Sequence, residues 1–267
     1  MNLFAIRAWG RLAAGGAMLL TVGAGAADIP PATAVPAAKA DAQFLASANN
    51  ALALNLYRQL AGDADGNVFF SPHSIATVLT MTWAGARGDT AAQLAKALGF
   101  NNQPATQIAA ASGEWQNQLR EALAKSGPRL LAANSLWPQA DHPIRPEYVA
   151  LIKNNFSADI TPVDYQTRAA AAVQRINAWV EDKTEKRITD LLHPGDVTPD
   201  TRLILVDAIY FKGAWAEKFD AAKTAMAPFT VKGGEPKEVG LMHQKMDAAR
   251  LAEVADSPVP LQILTLP

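Results

Sequence analysis

Cysteine is absent from all 267 residues. That excludes disulfides, thiolate catalysis and cysteine-ligated metal centres. Histidine is scarce: His73, His142, His193 and His243 stand far apart, and nothing in their spacing asks for a metal. Charged residues make up only 18% of the chain, and the two signs nearly cancel to a net −1. A nucleic-acid partner therefore has no electrostatic footprint to meet. Also missing are a Gly-x-Ser-x-Gly elbow, a His-Glu-x-x-His pair, a phosphate loop and a dinucleotide fingerprint. No cofactor and no catalytic residue is expected.

What is present begins with a leader. Residues 1–27 combine positive charge at Arg7 and Arg11, an apolar stretch over 12–22 and the small-residue pattern Ala24-Gly25-Ala26. This is the pattern of a secretory signal, with cleavage expected near Ala26 or Ala27 and a secreted or periplasmic product. The apolar stretch is too short and too glycine-rich to span a bilayer, so no membrane is expected after cleavage. Export without cysteine, together with an Ala-rich composition, points to a bacterial source. Residues 28–40, rich in Pro and Ala, read as an exposed linker. The remainder, 41–267, is long enough to bury a large core.

The chain is organised around residues 67–100. Val68, Phe69 and Phe70 suit a short strand. Ser71 can cap a helix whose first position is Pro72. From Pro72 to Ala86 no residue is charged apart from His73, and apolar side chains occupy every face, which predicts a helix buried all round. Thr90 and Gln93 form a capping-box pattern for the next helix, and Gly99 can end it in the left-handed conformation. Helices are also expected over 44–60, 106–125, from Pro146 to Phe156 and over 167–184, the last with Val173, Ile176, Trp179 and Val180 as its apolar stripe. Strands are expected over 129–137, 160–163 and 203–211, and a final one over 261–266. Residues 203–211 are apolar on both alternating faces, so this strand should lie centrally in a covered sheet, interrupted by Asp207. Trp83, Trp115, Trp137, Trp179 and Trp215 all read as core residues.

Two blocks carry a family resemblance. The first is Asn-Val-Phe-Phe-Ser-Pro-x-Ser-Ile from Asn67, followed by Ala-x-Gly-x-Thr-x-x-Gln-Leu and Leu-Gly-Phe. The second runs from Ile176-Asn-x-Trp-Val through Leu205-Val-x-Ala-Ile-Tyr-Phe-Lys-Gly-x-Trp215. In this order they resemble the serpins, a family of serine protease inhibitors, over about 44–267. The resemblance implies an α+β serpin fold, helices packed on mixed β-sheets A, B and C. It implies that the chain is not an enzyme. Its partner in the full-length form would be a serine-type, or cysteine-type, protease, trapped when a cut reactive loop inserts as a new strand into sheet A.

By motif match, Asn67, Ser71, Ser74 and Asp207 fall in the family's shutter, the polar cluster beneath the place where sheet A opens. Trp215 matches the breach, where insertion begins. Asp207 departs from the family's usual Asn. An ionised Asp only accepts hydrogen bonds, so burial should favour its protonated form unless donors oppose that. Gly240-Leu241 departs from the more usual Pro-Met. The resemblance covers the family's N-terminal two-thirds, so the chain is expected to be incomplete at the C-terminus, without the reactive loop and final strands. On that expectation this truncated chain is itself inactive, strand 203–211 keeps an unpaired edge, and the truncated form self-associates through open sheet edges. The alternative is a non-inhibitory binding or chaperone-like protein on the same scaffold.

Overall fold

The computed structural model describes residues 7–8, 17–21, 41–62, 67–100, 103–126, 129–231, 234–247, 249–254 and 261–266. The cleavage pattern at 24–26 and the linker at 28–40 lie outside them. The backbone forms two compact units, Met1–Lys212 and Gly213–Pro267.

In the first unit a five-stranded sheet runs in the order β1-β2-β5-β3-β4, formed by β1 (Arg7–Ala8), β2 (Ala17–Thr21), β3 (Arg129–Pro138), β4 (Asp159–Ile160) and β5 (Leu203–Lys212). All pairs are antiparallel except β3 with β4, so the sheet is mixed. β3 and β5 match over ten residues, with Asn134 opposite Asp207 and Leu136 opposite Leu205. Side chains alternate faces along a strand. Leu136 and Leu205 therefore join one core, under α1 (Ala42–Gly62), α2 (Pro72–Gly85), α3 (Gly88–Leu98), α4 (Ala105–Ser126) and α5 (Pro146–Phe156). Trp137, Ile204 and Val206 point the other way, into a second core with Tyr165, Ile176 and Val180 of α6 (Tyr165–Lys183). Burial of β5 on both faces is what its unbroken apolar sequence predicts.

Local chemistry explains most boundaries. The Asp41 carboxylate accepts from the Phe44 amide at 2.8 Å and starts α1. Asp164 accepts from the Thr167 amide at 2.9 Å and starts α6. Gly99, at φ +69°, ends α3 in the left-handed conformation. Three expectations fail. Residues 68–70 form no strand, and Phe69 is 72% exposed. Their β propensity reflects fit to a pleated surface, and no strand is there to pair with them among the described residues. The Thr90–Gln93 capping box does not form, because α3 already starts at Gly88, whose φ of +59° turns the chain earlier. And the second edge of β5 is bare only in part: Ala17–Thr21 pairs with Ile204–Ala208.

The second unit holds two separate antiparallel ribbons, β6 (Ala225–Phe229) with β7 (Lys237–Leu241) and β8 (Arg250–Val254) with β9 (Leu261–Thr265). None of its described residues is buried. Trp215, expected in a core, is half exposed and stacks edge-on against Phe219 at 6.4 Å between ring centroids. No described helix is long and apolar enough to cross a membrane.

Candidate functional site: a buried polar cluster between a helix start and a central strand

The site begins with a helix cap. Ser71 sits at the N-cap of α2 in extended backbone, and its Oγ accepts from the Ser74 amide at 3.2 Å. Pro72 at the first helical position has no N–H to leave unpaired. One turn in, the buried Ser74 hydroxyl donates to the same Ser71 Oγ at 3.1 Å. This turn delivers two hydroxyls to the α2 face of the sheet, where Asp207 projects from β5.

Asp207 is 1% exposed. Burial pushes its carboxyl up to about 7, with the Ser74 hydroxyl opposing the shift. Its Oδ1 has no hydrogen-bond partner. Directly across the ladder, and hence on the same face, lies Asn134 of β3. The Asn134 amide donates from Nδ2 to the Phe156 carbonyl at 3.1 Å, while its Oδ1 is also without a partner. The Oδ1 atoms of these two facing residues are thus buried without a hydrogen-bond partner, and the Ser74 hydroxyl is the donor beside the Asp207 carboxyl. A proton on Asp207 would add a second donor there.

The structure therefore brings together Ser71, Ser74 and Asp207. Asn67 is exposed and lies outside this hydrogen-bonded group. Trp215 belongs to the second unit, three residues beyond the end of β5. Asn134 was missed from the sequence. Its surroundings, Ala-Ala-Asn-Ser, lack the contrast that singled out Asp207, and only the ladder register places it opposite that residue. The opposite face carries its own polar fastening: Ser135 Oγ accepts from Trp137 Nε1 at 2.7 Å, and the Tyr165 hydroxyl donates to the Trp137 carbonyl at 2.6 Å. Elsewhere, His73 is driven toward its neutral form by burial and meets Trp115 edge-on at 4.6 Å. Among the described residues no cluster of His, Asp or Glu could hold a metal ion.

Nothing in this arrangement is a nucleophile activated by a base. What it can do is hold a helix start close to a central strand through buried polar side chains.

Comparison with known proteins agrees with the fold. The family model described as serpin (serine protease inhibitor) matches residues 47–267. Leukocyte elastase inhibitor A of Mus musculus is 39% identical over 204 residues, covering 75% of this chain and 52% of that protein. Serpin B6 of Macaca fascicularis is 38% identical, covering 74% and 52%. Among solved structures, ovalbumin from emu (Dromaius novaehollandiae) superposes with a TM-score of 0.71 at 27% identity, covering 83% of this chain and 62% of that one. Arabidopsis AtSerpin1 in its native stressed conformation gives 0.69 at 29% identity, covering 78% and 53%. The chain spans about half the length of the curated relatives it matches. With a family match over 47–267 and the fold shared with these structures, the chain belongs to the serpin family and has the serpin fold.

Proposed function

We propose that these residues supply the strand-accepting sheet of a serine-type endopeptidase inhibitor that works by inserting its cut reactive loop beside β5, and that residues 1–267 by themselves do not inhibit. The observation that carries this reading is the side of β5 away from β3. Its buried segment, Ile204 to Ala208, takes up an added antiparallel strand along its backbone, and no covalent chemistry is needed for that. The cluster of Ser71, Ser74 and Asp207, with Asn134 beside it, lies on the α2 face of the strand that must shift, where a shutter would be. Asn67 keeps its shutter role, and Trp215 its breach role, from the motif match alone. The relatives named leukocyte elastase inhibitor make an elastase-type serine protease the first target to try. Export with cleavage near Ala26 or Ala27 stands as part of the proposal. The curated relatives from Mus musculus, Macaca fascicularis and Xenopus tropicalis are vertebrate proteins and lend no support to a bacterial source.

The test extends the chain with the sequence encoded beyond Pro267 and incubates the product with elastase-, trypsin-, chymotrypsin- and subtilisin-type proteases. The expected result is progressive loss of one activity together with a denaturant-resistant complex of protease and inhibitor. Plain cleavage of the extended chain, with the protease fully active, would favour the non-inhibitory binding protein.

A further inference from the structure

We infer that the N-terminal leader of this chain is an intramolecular strand donor, whose residues Ala17–Thr21 close the edge of β5 for as long as the leader is attached. β5 has ten residues and β3 pairs with all of them on one side. On the other side β2 pairs with five, in the antiparallel register Ala17↔Ala208, Met18↔Asp207, Leu19↔Val206, Leu20↔Leu205 and Thr21↔Ile204. These five positions of β5 are each no more than 1% exposed. Backbone N–H and C=O groups at that depth need partners, and an apolar edge without them is a template for other chains. Ala-Met-Leu-Leu-Thr suits the place, being uncharged and free of proline and glycine.

The far side of the leader supports the same assignment. β1 pairs antiparallel with β2 through two residues only, Arg7 and Ala8, and the sheet ends there. A very short, charge-bearing outer strand is how sheets are terminated without inviting another partner. The leader therefore adds a strand and blunts the new edge. Cleavage near Ala26 or Ala27 would remove both strands and leave positions 204–208 open to another extended apolar peptide. This inference rests on the strand pairing and holds whether or not the protein inhibits proteases.

The absence of cysteine makes the register directly testable in the full chain. Ala17→Cys with Ala208→Cys pairs residues that face each other across the ladder, at a separation a disulfide can bridge. Ala17→Cys with Ile204→Cys is the out-of-register control. Under mild oxidation the first pair is expected to lose its free thiols to an intramolecular bond, and the control to keep them. No bond in either, equal bonding in both, or only intermolecular bonds would overturn the inference, the last by assigning the edge to a second copy. In the unmodified chain, amide hydrogen exchange gives an independent reading: all five amides from Ile204 to Ala208 should exchange slowly. Fast exchange at alternate residues, those not bonded to β3, would likewise overturn it.

Discussion

Asp207 is the residue on which the buried cluster turns. Its folded-state value of about 7 lies above the ordinary 3.8. Between those two values the folded protein holds a proton that the unfolded chain has released. Stability conferred by the protonated carboxyl is therefore complete below about pH 4 and is lost as pH rises to about 7, a change on the order of 4 kcal/mol. Asp207→Asn carries its donor at every pH and should abolish that slope, so that the variant is the more stable of the two above pH 7. Urea midpoints of both proteins at pH 4.5, 6 and 8 check this; parallel profiles would show that Asp207 is not the titrating group. Asp207 was legible in the sequence because a carboxylate in the run Leu-Ile-Leu-Val-Asp-Ala-Ile contradicts its surroundings. Asn134 was not, since it follows two alanines and precedes a serine, and only the ladder register shows that it faces Asp207.

At the scale of elements, the joints are made by side chains that bond backbone. Ser71→Ala removes both the cap of α2 and the acceptor of the Ser74 hydroxyl; a loss of about 1 kcal/mol is expected. Asn177 of α6 clasps Leu192 by two bonds, giving from Nδ2 to its carbonyl and accepting its amide at Oδ1, both at 2.9 Å. Leu192 is 2% exposed, so Asn177→Ala strands two buried backbone groups and should cost about 2–3 kcal/mol. Denaturant titration of each variant in the full chain decides; a change below about 0.5 kcal/mol for Asn177→Ala would mean that water replaces the clasp. Most of the long helices could be read in advance from apolar spacing near 3.6, and β5 from an unbroken apolar run that predicts burial on both faces. The segment 68–70 and the start of α3 could not. The first depends on a partner strand, the second on a glycine dihedral, and neither is written in local apolar spacing.

For the whole molecule, the two units differ in kind. Met1–Lys212 has two hydrophobic cores sharing one sheet, whereas the ribbons of Gly213–Pro267 leave apolar side chains in solvent. Leu251 and Leu264 face each other across β8 and β9 and are 60% and 58% exposed. Two-stranded ribbons are marginal alone, and exposed apolar pairs seek cover. Residues 1–267 are therefore expected to self-associate as concentration rises, and Leu251→Lys with Leu264→Glu to reduce light scattering at equal concentration. No change on that substitution would place the association elsewhere. The most direct test of the central claim, that these residues form a strand-accepting sheet that does not inhibit by itself, is a denaturing gel of residues 1–267 after incubation with an elastase-type protease. The account predicts no band at the combined mass and a fully active protease; a denaturant-resistant complex of the two would contradict it.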